Sequence, residues 1–338
     1  MSTASPAHPA HLDPSELGTK DYWDNYYNTD LSNLKRPVAD NNTVKSRKGD
    51  GNDDDDDEED DDDKANQSID PSELPSWFSD VSAPEKILSY LTSETFPLAP
   101  ENWPADPQSP LPSILDLGTG NGSLLFLLRT EGEFIGNRMC GIDYSDSSIE
   151  LSKRLGKEVG DGCEEIEFYR CDILKEEDWR KAEWWPKSPD DTRALHQGGK
   201  DSITGWDIVL DKGTFDAISL SAEEIEIEEE RDNNSPESLD HSSSTIPPPQ
   251  RRRRICELYP RAAARMLNPG GYLLITSCNW TEDEVIRWFV ASSSPESPRP
   301  ELESDPILEV YGKVKYSTYK FGGQEGQGVA TVCFKRVR

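Results

Sequence analysis

The chain is short of positive charge, of histidine, of paired cysteines and of long apolar runs, and each shortage excludes something. Lys and Arg number 36 against 66 Asp and Glu, a formal net charge of -30. Phosphate-backbone recognition rests on clustered Lys and Arg, so a broadly basic nucleic-acid clamp is excluded and no direct nucleic-acid partner is expected. The apolar runs, such as Leu124–Leu128 and Leu273–Ile275, fall far below the ~20 residues of a spanning helix. No membrane partner is expected either. None of Cys140, Cys163, Cys171, Cys256, Cys278 and Cys333 stands in a C-x-x-C pair, which leaves buried free thiols in a reducing compartment as the plain reading. The four histidines, His8, His11, His196 and His241, fall in tails or polar segments, so neither a histidine base nor a metal-binding spacing is visible. The first residues have no basic start and no apolar core, so no secretory signal is expected and the cytoplasm is the expected compartment.

Two tracts carry more than half of the excess negative charge: residues 50–63 and 223–232. The remainder holds nine Trp, eleven Tyr and nine Phe, enough for one real core with polar insertions. The composition therefore divides the chain into a disordered N-terminus over 1–14 and a single domain over 15–338. That domain is interrupted by polar or acidic insertions at about 40–72, 175–204 and 223–253, and a monomer is expected. Asp53–Asp57 and the acids after it lack the interspersed ligands and turn glycine of a calcium loop, so a solvated acidic loop is the better reading. Arg251–Arg254 reads as a basic edge balancing nearby acids, or as a weak nuclear-import signal giving nuclear access.

Beyond residue 83 the pattern alternates. Pro84–Leu91 has apolar residues at helical spacing behind a proline suited to a first turn. Ser113–Leu117 is a short apolar run ending in glycines, hence a buried strand, and Gly122–Arg129 is the helix after it. Arg138–Asp143, Glu165–Arg170, Trp206–Asp211 and Tyr272–Cys278 are further strands. Helices are expected over Asp146–Leu155 and Ile255–Leu267, the latter closed by an Asn268–Gly271 turn. Thr281 and Glu284 form a capping box that opens another helix. Leu308–Ser317 and Gly328–Val337 close the chain as an antiparallel pair. The whole predicts an α/β fold: a doubly wound, mostly parallel sheet with helices on both faces and a C-terminal antiparallel hairpin. Ligands of such sheets gather at the carboxyl ends of the strands.

The chemistry-bearing residues fall at those ends. Asp116-Leu117-Gly118-Thr119-Gly120-Asn121-Gly122 puts three glycines at alternate positions, where a ligand can approach the backbone closely. The dinucleotide fingerprint would need a glycine three residues after the second, and Ser123 stands there. The spacing of Gly118, Gly120 and Gly122 instead matches the turn of S-adenosylmethionine-dependent methyltransferases, with Thr119 in the turn and Asp116 facing the cofactor's ammonium. Asp143, beside Tyr144, closes the second strand where an acid suits a pair of ribose hydroxyls, or where it caps the next helix. Asp172 closes the third strand and reads either as an acceptor for the adenine amine, with Ile173 over the ring, or as a loop residue. Asp211 closes the fourth, beside the expected methyl position.

These features resemble the class I, seven-stranded, Rossmann-like methyltransferases. More narrowly, Glu16-Leu17-Gly18-Thr19-Lys20-Asp21-Tyr22-Trp23-Asp24-Asn25-Tyr26-Tyr27 and Leu210-Asp211-Lys212-Gly213-Thr214-Phe215-Asp216-Ala217 resemble motifs of the elongation factor 1-alpha lysine methyltransferase 2 family. The resemblance implies an enzyme that uses S-adenosyl-L-methionine to methylate a lysine ε-amine of translation elongation factor 1-alpha, its protein partner. It points to Asp211, Trp23 and Tyr22 as catalytic residues. Asp211 would attract the cationic lysine and contact the cofactor. Tyr22, Trp23 and Tyr26 would line a lid and a lysine channel through cation–π contact, or else pack the segment onto the core. Lys212, Thr214 and Asp216 would hold the loop after the strand. The Asn/Asp-Pro-Pro-aromatic motif of amino-methylating nucleic-acid enzymes is absent. Methylation of another protein or a small molecule, or an acidic binding protein that keeps only the fold, remain the alternatives.

Overall fold

The structure, a computed structural model, describes residues 9–34, 69–186, 205–227, 251–291, 305–321 and 324–338. The acidic run at 50–63, His8, His196 and His241, and most of the three expected insertions lie outside the described residues. Seven strands make the central sheet: Ile114–Leu117 (β1), Met139–Asp143 (β2), Glu167–Arg170 (β3), Trp206–Lys212 (β4), Leu267–Ser277 (β5), Leu308–Val314 (β6) and Ala330–Arg336 (β7). Their spatial order is β3-β2-β1-β4-β5-β7-β6. The first five are mutually parallel, while β7 enters antiparallel between β5 and β6. Strand order reverses between β1 and β4, so a crevice opens where their carboxyl ends diverge.

The period-two alternation of side chains gives each strand two buried faces. Leu115, Leu117, Val209, Leu273, Ile275, Val332 and Phe334 enter one apolar cluster with Tyr259, Trp288 and Phe289. Ile114, Ile208, Leu210, Leu274 and Cys333 enter the other with Leu125, Phe126 and Phe168. Near-continuous apolar runs are what a sheet covered on both sides requires. The covering helices are Lys20–Leu34 (α1), Ala83–Leu91 (α2), Ser123–Thr130 (α3), Asp146–Val159 (α4), Glu176–Arg180 (α5), Thr214–Ser219 (α6), Tyr259–Arg265 (α7) and Glu282–Ala291 (α8). The expected capping box is in place, with the Thr281 amide donating to Glu284 at 2.9 Å and the Glu284 amide to Thr281 at 3.4 Å.

Four expectations need correction. The helix expected over Ile255–Leu267 breaks into a 3-10 turn at Ile255–Glu257 and then α7, with Pro260 in the first turn of α7. Asn268–Gly271 is not a turn between helix and strand but runs within β5, where the pairing with β4 shifts register after Trp206 and Gly270 takes a φ of 84°. The insertion expected from 175 starts later, because Trp179, Trp184 and Trp185 are buried in the core. Nor are residues 9–14 loose. Leu12 packs on the core, and its carbonyl accepts from Arg254 Nη1 at 2.6 Å. The same guanidinium reaches the carbonyls of Ser219 and Ser221. Arg254 thus clamps the N-terminal strap, and Arg251–Arg254 form a strand paired with Glu224–Ile227, in which Arg252 faces Glu224 and Glu226.

Candidate active site

Three consecutive turns at the strand ends set the floor of one cavity. After β1, Gly118, Gly120 and Gly122 take φ values of 61°, 60° and 82°, in the left-handed region that glycine enters without steric cost. Space is short as well. A Cβ on Gly118 would lie 2.1 Å from the Thr214 hydroxyl oxygen, and one on Gly120 would lie 2.7 Å from the Tyr27 hydroxyl oxygen. The Gly120 carbonyl accepts from Ser148 Oγ at 2.6 Å and Ser152 Oγ at 2.9 Å, both on α4. Its amide donates to Asp143 Oδ2 at 3.1 Å. The turn is therefore fixed from both sides before any ligand arrives.

Asp143 is 4% exposed. Its other oxygen accepts from the Ser145 amide at 2.9 Å, so each carboxylate oxygen keeps a lone pair for a ligand. Burial pushes this carboxyl up to about 6, against the pull of those two amides. Asp172 bends the chain after β3 by accepting from the Leu174 amide at 3.1 Å, and it pairs with Lys175 at 3.0 Å. Ile173 beside it is buried and presents an apolar wall. The Tyr144 hydroxyl donates to the Thr19 carbonyl at 3.3 Å, tying the end of β2 to the segment before α1.

A roof of aromatics closes the top. Trp23 Nε1 donates to the Leu17 carbonyl at 2.8 Å, and its ring lies 5.0 Å from Trp77 and 6.0 Å from Tyr27. The Asn121 amide group donates to the Pro75 carbonyl at 2.7 Å, so the glycine turn itself holds the loop that carries Trp77. The space enclosed is about 360 Å³, within the usual ~300–1,000 Å³ of a small-molecule site.

Of the residues expected from sequence, Trp23, Gly118, Thr119, Gly120, Asp143, Tyr144, Asp172 and Ile173 line this one cavity. Four do not. Gly122 caps α3, and a Cβ there would meet Phe126 and Phe168. Tyr22 turns to a separate groove with Glu16, Asp21 and Thr29. Asp116 sits behind the turn, 3% exposed, its carboxyl pushed up to about 6 by burial, against the influence of Thr119 and Lys212. Asp211, expected as a catalytic and cofactor-binding residue, lies away from the cavity lining, 1% exposed, at the start of α6. It accepts the free amides of Thr214 and Phe215 at 2.8 Å and 3.1 Å, and the Tyr259 hydroxyl at 2.6 Å. Burial lifts its carboxyl to about 8.

Thr214 and Asp216 do hold the loop, through the Leu117 carbonyl at 2.6 Å and the Cys278 amide at 2.8 Å. Lys212 lines the cavity instead. Tyr27 and Trp77 were not singled out by the sequence. The Trp77–Phe78 pair in a polar loop was the available signal, since loop aromatics on a rigid scaffold often serve a site. Tyr27 had only its helical spacing from Trp23.

The residues present suit S-adenosylmethionine. The backbone is bare where Gly118 and Gly120 leave no room for a Cβ, a two-oxygen acceptor stands at β2 and an apolar wall at β3. Residues 109–306 match a family model described as a methyltransferase domain. The protein-lysine N-methyltransferase EFM4 of Saccharomyces cerevisiae is 30% identical over 96% of each chain. The efm4 of Schizosaccharomyces pombe is 26% identical over 96% of this chain and 95% of that one. EEF1A lysine methyltransferase 2 of Homo sapiens is 25% identical over 96% of this chain and 88% of that one.

Proposed function

Because this chain belongs to the family of EFM4 and the EEF1A lysine methyltransferases 2, we propose that it is an S-adenosylmethionine-dependent protein-lysine N-methyltransferase acting on a lysine of translation elongation factor 1-alpha. The observation that carries the reading is the single cavity that joins the glycine turn, Asp143 and Asp172 under Trp23, Tyr27 and Trp77. When bound, the cofactor supplies a methyl group already activated by its sulfonium. The protein's share is orientation and the exclusion of water, effects worth up to ~7–11 kcal/mol where geometry is good.

Asp143 would hold the ribose hydroxyls through the lone pairs its two amide bonds leave spare, and Ile173 would cover the adenine. The target amine would enter beneath the aromatic roof, among the rings of Trp23, Tyr26 and Trp77 that line the cavity. Such faces favour a cation by ~0.5–2 kcal/mol. Desolvation there lowers a lysine pKa, so the amine loses its proton to water and presents a lone pair. His11, the one histidine among the described residues, pairs with Glu257 at 3.4 Å and does not line the cavity. No histidine base is invoked.

Cytoplasmic residence and a monomeric state belong to the same proposal. Support comes from five buried free thiols and from a net charge of -30 that opposes self-association. The test is radiolabelled methyl transfer from S-adenosylmethionine to purified elongation factor 1-alpha, followed by mass spectrometry. Label on a lysine is expected. Label on arginine, or cofactor binding with no transfer, overturns the proposal.

A further inference from the structure

Three lysines line the cavity: Lys20, Lys175 and Lys212. Two already have partners, Lys20 with Asp24 and Lys175 with Asp172 at 3.0 Å. The Lys212 ammonium, at the end of β4, makes no ion pair or hydrogen bond with the described residues. Burial pulls its pKa below the usual lysine value, while Asp116 and Asp211 push the other way from a distance. Lys212 is half-buried in the cavity wall; an ammonium there with no protein partner is partly desolvated at a cost, which an anion placed against it recovers.

We propose that Lys212 binds the carboxylate of the cofactor's amino-acid tail. The assignment rests on the cofactor reading above and adds a residue to it. Charge selects the group. The sulfonium and the target lysine are cationic and would be repelled, whereas the tail carboxylate is the one anion the cofactor carries. Topology selects the place. Strand ends run in the order β3, β2, β1, β4, with the adenine wall at β3, the ribose acceptor at β2 and the glycine turn at β1. The far end of a nucleoside laid along that row arrives at β4, where Lys212 stands. Asp116 behind it then serves as the carboxylate that helps keep Lys212 charged.

Calorimetry with two ligands tests this. S-adenosylhomocysteine carries the tail, and 5′-methylthioadenosine lacks it. Lys212→Met should weaken the first by roughly 10- to 100-fold, as the loss of a charge-assisted hydrogen bond implies, and leave the second unchanged. Lys212→Arg keeps the cation and should retain most of the affinity for the first. Circular dichroism checks that each variant folds, and Lys212→Gln replaces the Met variant if that one does not. Equal affinity of wild type and variant for S-adenosylhomocysteine, or an equal loss for both ligands in a folded variant, overturns the role of Lys212 alone. If wild-type protein binds neither ligand, the cofactor reading itself has failed.

Discussion

Replacing Asp211 with alanine separates the two roles that an acid at the end of β4 can have. A group that steers the substrate would, when removed, abolish methyl transfer and leave folding intact. The structure dictates the opposite. Asp211 accepts two amides at the start of α6 and the buried hydroxyl of Tyr259, and it is 1% exposed. Losing a helix cap costs ~0.5–2 kcal/mol. Stranding the Tyr259 hydroxyl, whose residue is 0% exposed, costs a further ~1–3 kcal/mol. The sum, about 1.5–5 kcal/mol, is a large part of the ~5–15 kcal/mol that holds an ordinary protein together.

Urea unfolding followed by tryptophan fluorescence reads this directly, because Trp280 and Trp288 pack on Phe215 in α6. A double-mutant cycle sharpens the test. Tyr259→Phe leaves no hydroxyl to strand, so Asp211→Ala should cost less in that background, with a coupling of roughly 1–3 kcal/mol. One result refutes the reasoning: Asp211→Ala unfolding at the wild-type urea concentration, binding S-adenosylhomocysteine normally, and transferring no methyl. Asp211 would then act on the reacting groups.

Two further outcomes are expected. Asp143→Ala should lower S-adenosylhomocysteine affinity at least about tenfold, a loss of ~1.4 kcal/mol, with far-UV circular dichroism unchanged; normal affinity by calorimetry would remove Asp143 from the ribose site. The second concerns pH. Burial lifts Asp116 and Asp143 to about 6 and Asp211 to about 8, so each carboxyl holds its proton more tightly folded than unfolded. The stability each contributes is whole below its unfolded value of ~3.9 and is lost as pH climbs through the folded value. The ligand-free protein should therefore melt lower at about pH 8.5 than at about pH 6, and Asp211→Asn should flatten the upper part of that fall. A melting temperature that rises over the same interval contradicts it.

Much of the fold was legible because its signals are local. The apolar runs at Ile114–Leu117 and Trp206–Lys212 alternate between two buried faces, and no arrangement but a covered sheet satisfies them. The glycine spacing at 118, 120 and 122 marked the turn, since only glycine enters the left-handed region without steric cost. Where sequence reading strayed, two local signals competed. Asn268-Pro269-Gly270-Gly271 carries strong turn chemistry, yet pairing with β4 absorbs it as an irregularity within β5. Trp184 and Trp185 sit in a polar stretch and looked like part of an insertion, but large rings find burial wherever a neighbouring surface is apolar.

The sequence alone determined which runs make the central sheet, where the chain turns on glycine, and that Asp143 and Asp172 stand at strand ends. Which side of a strand end faces the cavity was decided by tertiary structure. Adjacent residues on a strand point to opposite faces, so Asp211 and Lys212 exchange roles on a difference of one position. Asp211 turns inward to Tyr259 and α6, and Lys212 turns to the cavity. The roof is likewise a tertiary product. Trp77 lies 54 residues from Trp23, and only the folding of the loop held by Asn121 and Pro75 brings their rings to 5.0 Å.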